Sequence, residues 1–193
     1  EKQANMFLKF TENIANASSH LRDLGVHGEA MDRKYMERLK DVGLISIVFH
    51  IEVWDPKLFV EICPGKAKAM SYEGWLEAFQ NAVDLFGAGY VGAVLVGGVT
   101  LMPENGHKTW QEARDSMVEG VRWLIKNGVQ PTFTHMQLRP GSIYSPDKSN
   151  REKLPPTEFY LEASQRHHEA MTEYGLYQKL DKFMRCGLWH EGG

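Results

Sequence analysis

The sequence predicts an α/β fold: a partial (β/α) barrel of parallel strands with outer helices, in about four βα units. Helical patterns and short apolar runs alternate along the chain, which is typical of right-handed βαβ units around one parallel sheet. Residues 44–49 form a β-branched, almost entirely apolar run, as expected for a strand that is buried on both faces. No linker or low-complexity segment interrupts the 193 residues, so we expect a single domain.

Each predicted element has its own signal. Strands are expected where apolar runs occur, at residues 26–30, 44–49, 90–96 and 132–138. Helices are expected where apolar residues recur at helical spacing, at residues 1–24, 33–42, 72–86, 109–126 and 157–174. Asp32 is expected to cap the second helix, and Gly25 and Gly43 to follow the ends of the first two. Residues 142–156 are expected to form a polar loop, and residues 176–193 a weakly patterned tail.

Four strands are too few to close a barrel, which needs about eight strands, or about six in an open form. Both edges of such a sheet would leave backbone donors and acceptors unpaired on very apolar strands. We therefore expect another chain or copy to cover the edges, or the rest of the barrel to lie outside this sequence.

Composition argues against several classes of protein. The net charge is −3 and the pI about 6.3, so we expect neither nucleic acid nor an anionic membrane as a partner. Two cysteines, Cys63 and Cys186, are few for a secreted scaffold, which favours a reducing, cytoplasmic location. No apolar run approaches the ~18 residues of a membrane span, and the start lacks the pattern of a signal peptide. Phosphate-loop, dinucleotide-binding, nucleophile-elbow and Cys-x-x-Cys motifs are absent.

Polar side chains stand at the predicted strand ends, where parallel α/β proteins bind their ligands. The first strand ends with His27 and Glu29, and the second with His50 and Glu52. Alternation places His50 and Glu52 on one face of their strand. A carboxylate on so apolar a strand needs a partner. That partner is either a neighbouring basic residue in a structural network or a ligand, and both interpretations are open.

The last two strand ends are also candidates. Gly97, which follows Val96 and begins a glycine pair, permits either the close approach of a ligand or a tight turn. His135, Gln137 and Arg139 are expected to share one face of the fourth strand. Arg139 would then suit an anionic group and Gln137 a neutral polar one, although a structural role is equally open.

A lysine-rich loop is expected between the second and third strands, with the sequence Cys63-Pro-Gly-Lys66-Ala-Lys68. Two lysines beside a glycine turn suit a carboxylate or phosphate, or are ordinary surface lysines. Cys63 is interpreted as a small buried apolar residue rather than a nucleophile.

Taken in order, these segments resemble the C-terminal half of biotin-synthase-like radical S-adenosylmethionine enzymes. Residues 41–56 (Asp-Val-Gly-Leu-Ile-Ser-Ile-Val-Phe-His-Ile-Glu-Val-Trp-Asp-Pro) are similar to the fifth-strand segment, which in the family ends Asn-x-Asp or Asn-x-Glu. The lysine-rich loop is similar to the next segment, which often carries a basic residue. Residues 95–98 (Leu-Val-Gly-Gly) fall at the Ile-x-Gly motif of the sixth strand, and residues 139–142 (Arg-Pro-Gly-Ser) at the seventh-strand Pro-Gly-Thr. The likeness in order and spacing covers residues 26–175.

The resemblance implies that the chain binds S-adenosylmethionine and a small substrate at the carboxyl ends of the strands, for chemistry by a 5′-deoxyadenosyl radical. The residues it implies for the cofactor are Glu52 at the ribose hydroxyls or the substrate, Lys66 or Lys68 at the methionyl carboxylate, and Val96 and Gly97 at the adenine. The residues it implies for the substrate side are His50, His135, Gln137 and Arg139.

The sequence also departs from the family pattern. The Cys-x₃-Cys-x₂-Cys segment, whose thiolates hold a 4Fe–4S cluster, is absent, and three thiolates cannot come from two cysteines. His50 replaces the family's Asn, and Thr100 replaces the Glu that often closes the sixth-strand motif. The chain is therefore not expected to cleave S-adenosylmethionine alone, and the cluster is expected on a missing N-terminal barrel half or a partner chain.

Two other functions remain open. One is a metal-dependent half-barrel lyase or isomerase, with nitrogen and oxygen ligands from three strand ends. Its ligands would be His27, Glu29, His50, Glu52 and His135. The other is a non-catalytic, degenerate barrel half that scaffolds or caps a partner enzyme, which the unpaired sheet edges would suit.

Overall fold

A four-stranded parallel sheet forms the centre of the molecule, whose computed structural model describes residues 2–17 and 24–179. The strand order follows the chain, β1-β2-β3-β4, and every neighbouring pair is parallel. The strands are β1 Leu24–Gly28, β2 Leu44–Glu52, β3 Val91–Gly97 and β4 Val129–His135. The predicted α/β class is confirmed. Most of the predicted tail lies outside the described residues.

Helices connect and cover the strands. In the described ranges they are α1 Lys2–Ala17, α2 Arg33–Asp41, α3 Pro56–Ile62, α4 Pro64–Ala69, α5 Tyr72–Phe86, α6 Trp110–Lys126, α7 Lys148–Glu152 and α8 Thr157–Glu173. Asp55, Ser71 and Thr109 accept backbone N–H groups at the starts of α3, α5 and α6, which satisfies donors that a helix leaves free. Asp32 stands at the predicted N-cap of α2, but its side chain makes no capping hydrogen bond.

The first strand begins earlier than predicted. Gly25 was expected to follow the first helix, but it lies within β1, where it pairs with Ser46 of β2. Leu24 also lies in β1, so the predicted helix does not extend to residue 24, while residues 18–23 lie outside the described residues. Backbone pairing with β2 outweighs the preference of glycine for a helix end.

Two further corrections concern the second half of the chain and the lysine-rich loop. Strand β4 begins at Val129 instead of residue 132, because Gly128, with φ 81°, turns the chain directly into the sheet. Pro131 is tolerated within β4 because this strand is an edge strand in the described sheet. The predicted loops at residues 63–68 and 142–156 contain α4 and α7 respectively.

The two faces of the sheet differ in character. On β2, Ile47, Phe49 and Ile51 are completely buried in the helix-covered core. The other face carries a row of side chains in register, in which His50 of β2 lies beside Val94 of β3 and then Thr132 of β4. Because parallel strands in register present the same face together, polar groups collect on this second face. Of the predicted ligand residues, His50 lies on this second face, whereas Gly97 and His135 are in register with the row that contains the core residue Leu95.

The core itself is apolar and aromatic. Phe49 and Phe79 pack with ring centroids 5.5 Å apart, and Phe59 and Trp75 at 5.9 Å. Helices α5 and α6 cover β2, β3 and β4 on this side. Among the described helices, none combines the length and apolarity that crossing a bilayer requires.

We predict that Gly120→Ala destabilises the protein although alanine normally favours helices. Gly120 lies in α6 against the indole of Trp54, and an added Cβ would approach Trp54 Cδ2 to 2.4 Å. Overpacking of this kind costs about 1–3 kcal/mol of unfolding free energy. Urea unfolding of the variant measures the loss. The matched control is Gly65→Ala in α4, where an added Cβ meets nothing within 4 Å, and an unchanged or increased stability is expected there.

Candidate functional site

One ammonium group joins three of the predicted site residues at the carboxyl ends of the strands. Lys66 Nζ lies 2.9 Å from Glu52 Oε1 and 3.3 Å from Glu29 Oε2. It also donates a hydrogen bond to the backbone carbonyl of His50. The side chain of Lys66 is only 19% exposed, so its charge is partly withdrawn from water and depends on these partners.

The local backbone explains how Glu52 reaches this position. Strand β2 is interrupted by an irregularity in its register with β3 between His50 and Glu52. Glu52 has a φ of 69°, in the left-handed region, which no other non-glycine residue in the described ranges adopts. Non-glycine residues pay about 1–3 kcal/mol for such conformations, and these conformations cluster at functional sites.

Lys66 is brought back to the strand end by two short helices. Helix α3 begins at Pro56 behind its cap Asp55, and α4 begins at Pro64 immediately after Cys63. Lys66 follows Glu52 by fourteen positions, and the two short helices between them bring the chain back to the carboxyl end of β2. Lys68, on the same helix, is exposed, so the structure brings only Lys66 to the cluster.

Two imidazoles border this ion cluster. His27 Nδ1 and His50 Nε2 lie 3.5 Å apart, and His50 Nδ1 lies 3.9 Å from Glu52 Oε1. Burial, and secondarily the neighbouring His50 ring, lower the pKa of His27 below its ordinary value. The structure thus groups His27, Glu29, His50, Glu52 and Lys66 at the ends of β1 and β2.

Trp75 and Cys63 complete the surroundings. Lys66 Nζ lies 5.5 Å from the centroid of the Trp75 ring, in the geometry of a cation–π contact. The sequence predicted Trp75 only as a packing residue of α5, because aromatic residues at helical spacing are the ordinary mark of a core face. Burial raises the pKa of the Cys63 thiol to about 11, so Cys63 is protonated at neutral pH, as expected for a buried apolar residue.

The end of β3 is closely packed against the chain's own side chains. The Gly97 carbonyl accepts hydrogen bonds from Tyr160 Oη at 3.1 Å and from the Met136 N–H at 3.2 Å. Gly98 has a φ of 86°, and an added Cβ would lie 2.5 Å from Pro155. Packing and turn geometry therefore account for both glycines, and the contact of Val96 and Gly97 with adenine remains a prediction.

The end of β4 differs from the sequence prediction. The strand ends at His135, so Gln137 and Arg139 lie in an irregular segment and do not share a strand face with it. The His135 ring packs on Tyr160 with centroids 4.3 Å apart, while Arg139 Nη2 donates to Gln137 Oε1 at 2.5 Å. Gln137 and Arg139 are exposed.

The geometry does not favour the metal-site alternative. Across residues 2–17 and 24–179, no three His, Cys, Asp or Glu side chains are arranged to hold a metal ion. The centre of the group at β1 and β2 is occupied by the Lys66 ammonium, which is already the cation for Glu29 and Glu52.

We predict that Lys66→Met lowers the unfolding free energy by about 1–3 kcal/mol, because it leaves two partly buried carboxylates without their cation. Urea unfolding at neutral pH measures the effect. The double variant Lys66→Met/Glu52→Gln should recover part of the loss, since it removes one of the stranded charges. Lys68→Met, on the exposed side of α4, is the matched control and should stay within about 0.5 kcal/mol of the parent. Equal effects of the two lysine variants would contradict the role of Lys66.

We predict that His27 makes stability depend on pH. Folding lowers the pKa of His27, so as the pH falls the unfolded chain becomes protonated at this residue before the folded chain does. The contribution of His27 to the unfolding free energy is therefore complete above about pH 6.5, the ordinary pKa of histidine, and is lost at lower pH. The unfolding free energy of His27→Gln should therefore decline less between neutral and mildly acidic pH than that of the parent. His168→Gln, at an exposed position, is the control. Identical pH slopes for His27→Gln and the parent would contradict this account.

The chain is similar in sequence to a known enzyme. It is 33% identical over 147 residues to the bacteriochlorophyllide c C-7(1)-hydroxylase of Chlorobaculum limnaeum, over 74% of this chain and 32% of the hydroxylase. The chain thus spans about a third of the length of this relative. No family model matches the chain. No solved structure matches it either. The similarity to an enzyme agrees with the enzymatic interpretation of the sequence.

Proposed function

We propose that this chain is the C-terminal half of a radical S-adenosylmethionine enzyme of the biotin-synthase-like kind. In this proposal it binds S-adenosylmethionine and a small substrate at the carboxyl ends of its strands. The observation that carries the proposal is the pairing of Glu52 with Lys66. The resemblance had assigned Glu52 and either Lys66 or Lys68 to one cofactor, and Glu52 and Lys66, fourteen positions apart, meet at the predicted edge of the sheet.

The side chains of this cluster suit the polar parts of S-adenosylmethionine. Glu52 offers carboxylate oxygens, which accept hydrogen bonds from a ribose diol. Lys66 offers an ammonium with three hydrogens, of which Glu52 and the His50 carbonyl engage two. The third makes no hydrogen bond within the described residues, although Glu29 Oε2 lies 3.3 Å from the nitrogen, and in this proposal it holds a ligand carboxylate. His50, at the end of the same strand as Glu52, would face the substrate.

The chain does not suit the iron–sulfur cluster. Two cysteines cannot supply three thiolates, and burial keeps the Cys63 thiol protonated, with a pKa of about 11. We therefore place the 4Fe–4S cluster on residues outside this sequence. With the cluster as the source of one electron, bound S-adenosylmethionine would supply methionine and a 5′-deoxyadenosyl radical, which abstracts a hydrogen atom from the substrate. The work of this chain's residues would be to position the two molecules and to exclude water.

The relative's reaction supports the same class of chemistry. A hydroxylase that replaces hydrogen on carbon must break a C–H bond, and hydrogen-atom abstraction breaks such a bond. The relative's own substrate, bacteriochlorophyllide c, is therefore the first small molecule to test with this protein. We also propose a cytoplasmic location, as the low cysteine content suggests.

The missing half would cover an open edge of the sheet. In the described residues β1 pairs only with β2, and α1 beside it exposes Met6, Phe10 and Ile14. An uncovered edge strand invites pairing with another strand. We propose that the N-terminal barrel half, or a partner chain, adds its strands there. If this chain were instead a non-catalytic partner of an enzyme, it would bind that enzyme through the same edge. Loss of catalytic activity on substitution of this chain's site residues distinguishes half of an enzyme from a non-catalytic partner.

The test begins with the DNA. We expect a Cys-x₃-Cys-x₂-Cys segment to be encoded either directly upstream of the Glu1 codon or in a neighbouring gene. The assembled protein, reconstituted with iron and sulfide without oxygen and supplied with a one-electron reductant, should convert S-adenosylmethionine to methionine and 5′-deoxyadenosine, as measured by chromatography.

Glu52→Gln should weaken S-adenosylmethionine binding to the assembled protein by about tenfold, because a hydrogen bond to a charged group is lost. Glu61→Gln, at an exposed position of α3, is the matched control and should bind as the parent does. An assembled protein that binds no S-adenosylmethionine, or equal affinities for the two glutamine variants, would contradict the proposal.

A further inference from the structure

A cavity separate from the candidate site lies among the segments that follow β3 and β4. The cavity beside the ion cluster, of about 460 Å³ and with Phe7, Tyr35 and Trp75 in its walls, belongs to the site already described. The second cavity has a volume of about 510 Å³, within the range of small-molecule sites, about 300–1,000 Å³. None of its wall residues is among those that the resemblance assigns.

Three segments form the walls of this second cavity. The wall residues lie within residues 101–104, which follow the 3₁₀ turn Val99–Leu101, within residues 107–111 at the start of α6, and within residues 152–156 between α7 and α8. Pro155 packs on Gly98 at the end of β3, whereas its neighbours Leu154 and Pro156 line the cavity. The segment between α7 and α8 therefore separates the cavity from the end of β3.

Part of the wall is apolar and aromatic. Leu101, Trp110 and Leu154 contribute to it; Leu101 and Trp110 are half-buried, and Leu154 is 37% exposed. The Arg114 guanidinium lies 5.4 Å from the centroid of the Trp110 ring, a cation–π contact that helps to hold the ring in place. An indole and two leucine side chains around one space suit the apolar body of a ligand.

Two ammonium groups in the walls have only backbone partners. Lys153 is half-buried, and its Nζ donates to the Met102 carbonyl at 2.8 Å. Lys108 Nζ donates to the Glu104 carbonyl. Neither lysine forms an ion pair with an Asp or Glu side chain in residues 2–17 and 24–179. A charge that is partly withdrawn from water is costly unless it is paired, so Lys153 in particular calls for an anionic partner.

The acidic side chains nearby are exposed or engaged elsewhere. Glu152 lies 3.8 Å from Lys148, away from the cavity lysines. Glu112 accepts two backbone N–H groups at the start of α6, at 2.8 and 3.2 Å. Glu104 and Glu152 occupy exposed positions at the rim, where water screens their charges. The charge that the cavity leaves uncompensated at short range is therefore positive.

A buried nitrogen in the same wall also lacks a partner. His107 Nδ1 makes no hydrogen bond within the part of the chain that the structure describes, although the backbone N–H of His107 donates to the Thr100 carbonyl at 2.9 Å. Buried polar atoms without a partner are uncommon in native proteins. An imidazole nitrogen donates or accepts according to the tautomer, so an anionic oxygen would select the donating form.

We propose that this second cavity binds an organic anion. The charged group would lie at Lys108 and Lys153, and the apolar body would pack on Leu101, Trp110 and Leu154. A phosphate monoester and a carboxylate both offer the oxygen acceptors that ammonium groups bind. Two ammonium groups favour the phosphate monoester, which carries about −1.5 to −2 charges at neutral pH. The inference is independent of the proposed function, because the ion-cluster residues do not line this cavity.

Isothermal titration calorimetry of the full chain with four probes tests the inference. Phenyl phosphate has the ring and two charges, benzoate has the ring and one charge, inorganic phosphate has no apolar body, and phenol is uncharged at neutral pH. Phenyl phosphate should bind at least about tenfold more tightly than inorganic phosphate or phenol. Its affinity should fall as the salt concentration rises, because salt screens the attraction. Tighter binding of benzoate than of phenyl phosphate would support the inference with a carboxylate as the natural group.

Variants assign the charged and the apolar contacts. Lys153→Gln should weaken phenyl phosphate binding by about tenfold, and Lys153→Arg should retain most of the affinity. Lys126→Gln, exposed at the end of α6 and outside the cavity, is the matched control. Leu154→Ala should weaken binding of phenyl phosphate but not of inorganic phosphate, whereas Leu161→Ala, exposed on α8, should change neither. Circular dichroism checks that each variant folds.

Three outcomes would overturn the inference. They are failure of both phenyl phosphate and benzoate to bind at millimolar concentration, equal affinities of phenyl phosphate and inorganic phosphate, and equal affinities of the Lys153→Gln and Lys126→Gln variants for phenyl phosphate. Glu52→Gln, which tests the proposed function, should leave phenyl phosphate binding unchanged, so the two proposals fail separately.

Discussion

One shared ammonium at the carboxyl edge of the sheet is the interaction on which the candidate site depends. Glu29 follows β1, Glu52 ends β2, and Lys66 lies on α4, so their contact joins three separate segments of the chain. Carboxylates on such apolar strands are costly unless they are paired. The contacts of Lys66 with Glu29 and Glu52 therefore constrain the position of α4. They also constrain the neighbouring cavity, because α4 forms part of its wall.

The structural and the ligand-binding interpretations of Glu52 are compatible. The structural network that the sequence analysis left open is present, since Lys66 is the basic neighbour of Glu52. Yet Glu52 retains a left-handed backbone conformation, and the Trp75 N–H lacks a hydrogen-bond partner among the described residues. A network built only for stability would not require strain and an unpaired polar atom together. Their coincidence at one place is what distinguishes this edge of the sheet from the ends of β3 and β4.

Those other strand ends show the opposite situation. The carbonyl of Gly97 is used by Tyr160 and Met136, and Pro155 packs against Gly98. His135 is covered on one side by Tyr160. Here helix α8 and the segment before it supply the partners that a ligand would otherwise provide. Glycines at a strand end therefore do not by themselves indicate a ligand, because close packing of the chain needs them equally.

The sequence by itself determined the α/β class, the parallel sheet and the strand-end positions of His27, Glu29, His50 and Glu52. Hydrophobic periodicity and the position of polar residues after apolar runs are local properties, and they can be read along the chain. The boundaries of β1 and β4 were misplaced, because pairing with a neighbouring strand is not encoded in local preference.

Only the tertiary structure decided which lysine meets Glu52, and that Trp75 lies beside it. Lys66 and Lys68 have the same local character, and the turn of α4 alone selects between them. The cavity beside the ion cluster, likewise, has walls from four helices and the segment after β1. A space enclosed by distant segments has no local signature, because it exists only once burial of the core has brought those segments together.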